Sequence, residues 1–177
     1  MRPRSGGIDV AEPAIDPGVA IGHVHLKVSD IERSVAFYRN AFGFELMQRF
    51  GDSAAFLSGG GYHHHLGLNT WESKGGKPPA GGTTGLYHFA LLYPTRAALG
   101  RALARLLQHR VPIDGAADHG VSEAIYLRDP DGNGIEIYRD RPQTEWPRTP
   151  DGGLAMVSEP LDLQALLRDA QAANAKG

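Results

Sequence analysis

The order of hydrophobic and polar positions in this chain runs through the same cycle twice. Between about residues 20 and 28, Val24, Leu26 and Val28 alternate with His23, His25 and Lys27, the period of a strand with one packed face. From Ile31 to about Phe42 the apolar residues Ile31, Val35, Phe37, Tyr38 and Phe42 recur at helical spacing, with Asp30 placed to cap the start and Gly43 to end the helix. Three short strands are predicted next, near 44–50, 54–59 and 62–69, divided by Gly51-Asp52 and Gly59-Gly60-Gly61. Trp71 to Gly85 has paired glycines and prolines but no periodicity and reads as a connection. The cycle then repeats: a strand over 86–93, a helix over about 95–109 behind Thr95, and strands near 113–118, 122–128 and 134–140. Leu99, Leu103, Leu106 and Leu107 give that helix its apolar side, and Asp131-Gly132-Asn133-Gly134 makes the last turn. A final amphipathic helix is predicted from about Pro160 to Ala173, capped by Ser158, with Leu161, Leu163, Leu166 and Leu167 as its stripe.

Two βαβββ modules imply an α+β fold in which paired modules curve their mixed sheets into a cup. The expected division is a flexible N-terminal arm over 1–18, one domain over 19–148 and a C-terminal extension with the amphipathic helix over 149–177. Within the domain, module one takes 19–70, the linker 71–84 and module two 85–148. A length of 177 residues with 41% hydrophobic content suffices for one core. A net charge of −2 without a basic stripe argues against nucleic acid as a partner and for a small neutral or anionic molecule. The lack of cysteine removes disulfides and thiolate chemistry and agrees with a reducing cytoplasm. No run reaches the roughly 18 apolar residues of a membrane span, and the first 18 residues lack the apolar core of a signal peptide.

Candidate chemistry follows from strand parity. His23 lies opposite Val24, Leu26 and Val28, His88 opposite Phe89 and Leu91, and Glu136 opposite Ile135 and Ile137. All three therefore face away from the aliphatic layer, and in a curved sheet they can converge. Two imidazoles and one carboxylate form the facial triad of non-haem Fe(II), and the same set serves catalytic zinc, so ligand types alone leave the metal open. Taken singly, Glu136 is as readily a solvated residue on an edge strand, and His63-His64-His65 as readily an adventitious metal tract. His25 faces the cup by the same parity with no role beyond lining it, as does Phe56 as an apolar wall.

The run from His23 to Asp30, together with Phe37-Tyr38 and Phe42-Gly43-Phe44, resembles the vicinal-oxygen-chelate superfamily, whose members include glyoxalase I, antibiotic-resistance proteins and extradiol ring-cleavage dioxygenases. The resemblance spans roughly residues 20 to 148. More specific is His119 through Glu136, where a His, then Tyr126, then Asp129-Pro130-Asp131-Gly132 precede Glu136, as in the signature of the extradiol enzymes. The Tyr62 to Trp71 strand is similar to that of catechol 2,3-dioxygenases of the Bacillus type and stands where the module-one counterpart of Glu136 is expected.

This resemblance implies Fe(II), or Mn(II), held by His23, His88 and Glu136, a small aromatic diol and O2 as substrates, and cleavage to a muconic semialdehyde. It implies His65 as the acid–base residue and His119 and Tyr126 as hydrogen-bonding partners of the substrate. Extradiol enzymes of this kind carry two module pairs, whereas this chain has one, so a homodimer is expected to cover the open sheet. Two alternatives stand beside this reading. One is a glyoxalase-like lyase or isomerase with Zn or Ni and a second carboxylate at the module-one position of His65; the other is a metal-free binding protein of the bleomycin-resistance type.

Overall fold

Where the alternating residues run out, local capping chemistry takes over, and both helices of the repeat start on a side-chain cap. In the computed structural model, which describes residues 15–175, the Asp30 carboxylate accepts the Arg33 N–H at 2.9 Å and the Thr95 hydroxyl accepts the Ala98 N–H at 3.1 Å. Each such cap satisfies a backbone donor that the helix leaves open, a contribution of about 1 kcal/mol. Gly43 closes the first helix with a φ of 81°, a conformation that glycine adopts without steric cost. Residues 1–14 of the expected arm lie outside the described residues.

The two modules have the predicted order. Module one comprises β1 (Val24–Lys27), α1 (Ile31–Phe42), β2 (Glu45–Phe50), β3 (Ala54–Ser58) and β4 (Leu66–Asn69); module two comprises β5 (Phe89–Leu92), α2 (Arg96–Gln108), β6 (Ile113–Asp118), β7 (Ser122–Arg128) and β8 (Gly134–Asp140). The first sheet has the order β1-β4-β3-β2, and the second β5-β8-β7-β6 with a short added strand β9 (Glu159–Pro160) on β6. In both sheets the first strand pairs in parallel with the last and the other module strands run antiparallel. The result is a mixed α+β fold, and β1 and β5 are both edge strands.

A single core joins the modules. Leu26, Val28, Leu57, Leu66 and Leu68 from the first sheet and Ile125, Leu127, Ile135 and Ile137 from the second pack with Val35, Tyr38, Leu99, Leu103 and Leu106 of the helices. Polar ties cross the same junction. Tyr38, fully buried on α1, donates to Asp129 at 2.9 Å, while Asp131 accepts the Ser29 N–H at 3.2 Å and Arg33 at 2.5 Å. The turn that delivers Glu136 is thus bolted to module one.

Several expected boundaries differ: β1 and β5 begin later than predicted, at Val24 and Phe89, so His23 and His88 stand just before their strands. The last helix, α3 (Leu163–Asn174), is capped by Asp162, which accepts the Ala165 N–H at 2.9 Å, and not by Ser158. Residues 159 and 160 pair with Asp118 and Ala117, which holds the chain extended past the predicted start. The helix then packs on α2 where Gly100 has no side chain; a Cβ there would stand 2.4 Å from the Leu166 carbonyl oxygen. The strand predicted over 62–69 begins only at Leu66, because Gly60 and Gly61 turn with φ of 70° and 79° and the following rings of Tyr62 and His63 stack at 4.0 Å.

Candidate metal centre

Module two builds its half of the site from one rung of its sheet. Ala90 pairs with Glu136, Glu136 with Tyr126 and Tyr126 with Gly115, so these positions share a face. Their neighbours Ile135, Ile137, Ile125 and Leu127 are buried on the opposite face, so Glu136 and Tyr126 face the side that parity predicts. His88 sits just before β5, with its Nε2 3.0 Å from Glu136 Oε2. Gly134 permits this closeness: a Cβ there would lie 2.0 Å from the Tyr87 carbonyl oxygen and 3.0 Å from the His88 Cβ.

The His88–Glu136 spacing fits two neighbouring ligands of one ion. Donor atoms each about 2.1 Å from a metal and at right angles lie about 3.0 Å apart. Beside them, Tyr126 Oη is 2.7 Å from His119 Nε2, and His119 Nδ1 is 2.9 Å from the Val157 carbonyl oxygen. Burial and the Glu136 carboxylate both push the Tyr126 hydroxyl above its ordinary pKa, so it stays protonated and available as a donor. His88, Tyr87, Tyr126 and Gly115 line a shallow cavity of about 230 Å³. That is below the roughly 300–1,000 Å³ of small-molecule sites.

Module one gathers its own group. The exposed His23 ring stands 4.5 Å from His64, His64 stands 5.1 Å from Phe56, and Phe56 stands 5.9 Å from His25. Burial and the neighbouring histidines, His23 foremost, hold His64 below its ordinary pKa, and burial with His23 does the same to His25. Both rings are thereby biased to the neutral form that can accept a proton or a metal. His65 is fixed at Nδ1, which lies 3.1 Å from Ser58 Oγ and 3.3 Å from the Gly59 N–H that donates to it. Nε2 is consequently its proton-bearing nitrogen when the ring is neutral. His63 Nδ1 is 2.8 Å from His64 Nδ1, so His63 belongs to the same cluster.

The structure thus brings His88, Glu136, Tyr126 and His119 together and places His23 and His65 in a separate cluster. Among the described residues, no group of three or more His, Cys, Asp or Glu side chains is arranged to hold a metal ion. Register also corrects the internal correspondence. Gly67 pairs with His25 as Glu136 pairs with Ala90, so the module-one counterpart of Glu136 is Gly67 and not a position in the histidine run. The His25 ring fills the space above it, since a Cβ on Gly67 would stand 2.9 Å from that ring. An isolated glycine within a strand is the sequence signal for such a close approach.

Sequence reasoning assigned no role to three further residues that shape the site, although it noted Asp129 within the run before Glu136. Asp129 accepts the Asp131 and Asn133 N–H groups, each at 2.9 Å, and so shapes the turn before Glu136. Buried Glu123 receives Arg96, Arg139 and Arg141, and Arg141 also pairs with Asp118, next to His119. Val157 comes from a segment without periodicity, and nothing local signals its contact with His119.

Comparison with known proteins bears on the family and the fold. Residues 20–137 match the model of the Glyoxalase/Bleomycin resistance protein/Dioxygenase superfamily. The chain is 45% identical over 150 residues to a catechol-2,3-dioxygenase of Bacillus subtilis, covering 85% of this chain and 52% of that protein. It is 29% identical over 134 residues to a biphenyl-2,3-diol 1,2-dioxygenase of Rhodococcus globerulus, covering 68% and 63% respectively. The chain therefore spans about half to three-fifths of these relatives. A glyoxalase/dioxygenase structure from Nostoc punctiforme superposes with a TM-score of 0.60 at 21% identity, over 73% of this chain and 98% of that one, which speaks to the fold. On the match over residues 20–137 and the shared fold, the chain belongs to the Glyoxalase/Bleomycin resistance protein/Dioxygenase superfamily.

Proposed function

We propose that this chain is an extradiol ring-cleavage dioxygenase that acts on a catechol-type diol with O2 at an Fe(II) ion held by two histidines and a glutamate. We further propose that it works as a homodimer in which His23 of one copy completes the His88–Glu136 pair of the other. The observation that carries the reading is the contiguous series His88, Glu136, Tyr126 and His119, in which a donor pair at ligand spacing adjoins two groups that can hold or pass one proton. The similarity to the Bacillus and Rhodococcus dioxygenases supports the substrate class. The separate location of His23 and the position of β1 and β5 at one edge of each sheet support the second copy. A glyoxalase-like site with a second carboxylate is disfavoured because Gly67, at the position of Glu136 in the other module, has no side chain to offer.

The ion's contribution, when bound, is to hold the diol and dioxygen at adjacent positions and so join two reactants that meet slowly in water. Tyr126 offers its hydroxyl to a ring-borne oxygen, and its raised pKa keeps that proton in place until charge develops. His119 accepts or returns the Tyr126 proton across their 2.7 Å contact. His65, arriving with His23 on the partner copy's module one, carries a proton on Nε2 because Gly59 and Ser58 occupy Nδ1. General acid help of this kind is worth roughly 10²- to 10⁴-fold. Phe56, flanked by His25 and His64, forms an apolar wall for the ring. Oxygen uptake after anaerobic loading with Fe(II) tests the reading: uptake that depends on added catechol is expected, and iron-loaded protein that consumes no oxygen with any catechol overturns it.

A further inference from the structure

The segment after β8 leaves the sheet and comes back over it. Trp146 Nε1 donates to the Arg141 carbonyl at 2.9 Å, Ala155 N–H donates to the Pro147 carbonyl at 2.9 Å, and β9 then pairs with β6 at Asp118 and Ala117. Between these anchors, residues 147–160 form a strap across the turn that carries His119. The turn is shaped to receive it. Gly120 has a φ of 74°, its N–H is held by Asp118 at 2.9 Å, and a Cβ on it would stand 2.9 Å from Pro147 Cγ and 3.4 Å from Val157 Cγ2. The strap lies beyond residue 137, where the family match ends.

Val157 grips His119 at two points: its N–H donates to the His119 carbonyl at 3.1 Å, and its own carbonyl oxygen lies 2.9 Å from His119 Nδ1. A carbonyl oxygen only accepts, so Nδ1 must carry a proton in this contact. A neutral ring has one proton to place, which leaves Nε2 with a lone pair facing the Tyr126 hydroxyl at 2.7 Å. We propose that the strap is a positioning element for the site: the Val157 carbonyl holds His119 as the Nδ1–H tautomer, so that Nε2 meets Tyr126 as an acceptor. Tyr126 then donates to His119, and a proton leaving the tyrosine has a receiving lone pair already aligned. Released from the strap, His119 is free to flip or to adopt the Nε2–H form, in which the ring donates to the Tyr126 oxygen and offers the tyrosine proton no acceptor. His65 supplies the contrast, since its donor on Nδ1 enforces the opposite tautomer. The catalytic consequence rests on the dioxygenase reading; the tautomer does not.

The test is long-range proton–nitrogen correlation NMR on the full chain labelled with ¹⁵N at histidine, both without metal and loaded with diamagnetic zinc. The His119 signals are identified by their loss in His119→Gln. Wild type is expected to show a protonated Nδ1 and a bare Nε2. Val157→Ala, which keeps both backbone contacts, is expected to retain that pattern. Val157→Pro removes the N–H that anchors this residue to the His119 carbonyl, so its own carbonyl is no longer held against Nδ1; the ring is expected to shift toward the Nε2–H form, with about tenfold lower kcat on catechol and KM within about twofold. An Nε2–H ring in the wild type overturns the proposal, whatever the variants do. So does an unchanged Nδ1–H ring in folded Val157→Pro, or, should that variant not fold, in Gly120→Ala, whose added methyl displaces Pro147 and Val157. A protein with no dioxygenase activity still yields this readout, so failure of the functional reading is told apart from failure of this one.

Discussion

If His23 reaches His88 and Glu136 only through a second copy, two defective chains can restore each other. His23→Ala removes the module-one ligand, and Glu136→Ala removes a module-two ligand whose partner atom stands 3.0 Å away on His88. Each variant alone has every site missing a ligand. When the two are co-expressed in equal amounts, about half of the dimers pair unlike chains, and in each of those one site combines both defects while the other combines two intact halves. Random pairing therefore leaves about one site in four whole. The assay is iron bound per chain after anaerobic loading and desalting, alongside oxygen uptake with catechol. We expect each variant alone to hold little iron, and the mixture to recover about a quarter of the wild-type iron and activity. Recovery needs no change in the fold, because the replaced side chains lie outside the buried core. A mixture no better than its two components refutes the shared site and returns His23 to its own chain's His88 and Glu136.

Three further outcomes test the frame that holds the site. Tyr38→Phe removes one buried hydrogen bond to the Asp129 carboxylate, which keeps Asp131 N–H, Asn133 N–H and Asn133 Nδ2; a loss of about 1.5–2 kcal/mol is expected by urea titration, and a change below about 0.5 kcal/mol contradicts it. For Asp131, burial alone would raise the carboxyl pKa, but Ser29 and Arg33 hold it below its ordinary 3.8. Its stabilisation is therefore complete above that value and lost as pH falls through the lower folded one, so acid unfolding between about pH 4 and 2 should be less steep in Asp131→Asn, and equal slopes would refute the tie. His65→Ala should keep its metal content while kcat on catechol falls by roughly 10²- to 10⁴-fold; turnover at the wild-type rate with normal metal binding removes its proton role.

Much of module two could be read from sequence because its signals are local. Alternation across Ser122 to Arg128 and Gly134 to Asp140 gave the strand limits and the facing of Tyr126 and Glu136, and α1 ran from cap to glycine as expected. Apart from the late strand starts, that of β4 set by the local turn at Gly60 and Gly61, the misses involve partners far along the chain. Ser158 was a plausible cap until Glu159 and Pro160 paired with β6. The counterpart of Glu136 in module one was read from the order of residues, whereas register, set by the pairing of β1 with β4, assigns it to Gly67. Parity showed which way His23 faces, but not that its neighbour would be His64. Val157 had no periodicity to betray it, since its role rests on a backbone carbonyl that every residue possesses.

A dioxygenase of the kind proposed puts both atoms of O2 into the ring-opened product. The direct measurement is to load the protein anaerobically with Fe(II), admit ¹⁸O₂ with catechol, and weigh the product by mass spectrometry. The expected product is a yellow ring-opened semialdehyde that carries two heavy oxygen atoms from one O2 when the aldehyde is trapped by reduction before it exchanges with water. Unchanged catechol from protein with its iron bound, or a product that holds no heavy oxygen in its carboxylate and, when the aldehyde is trapped at once by reduction, none there either, would refute the proposal.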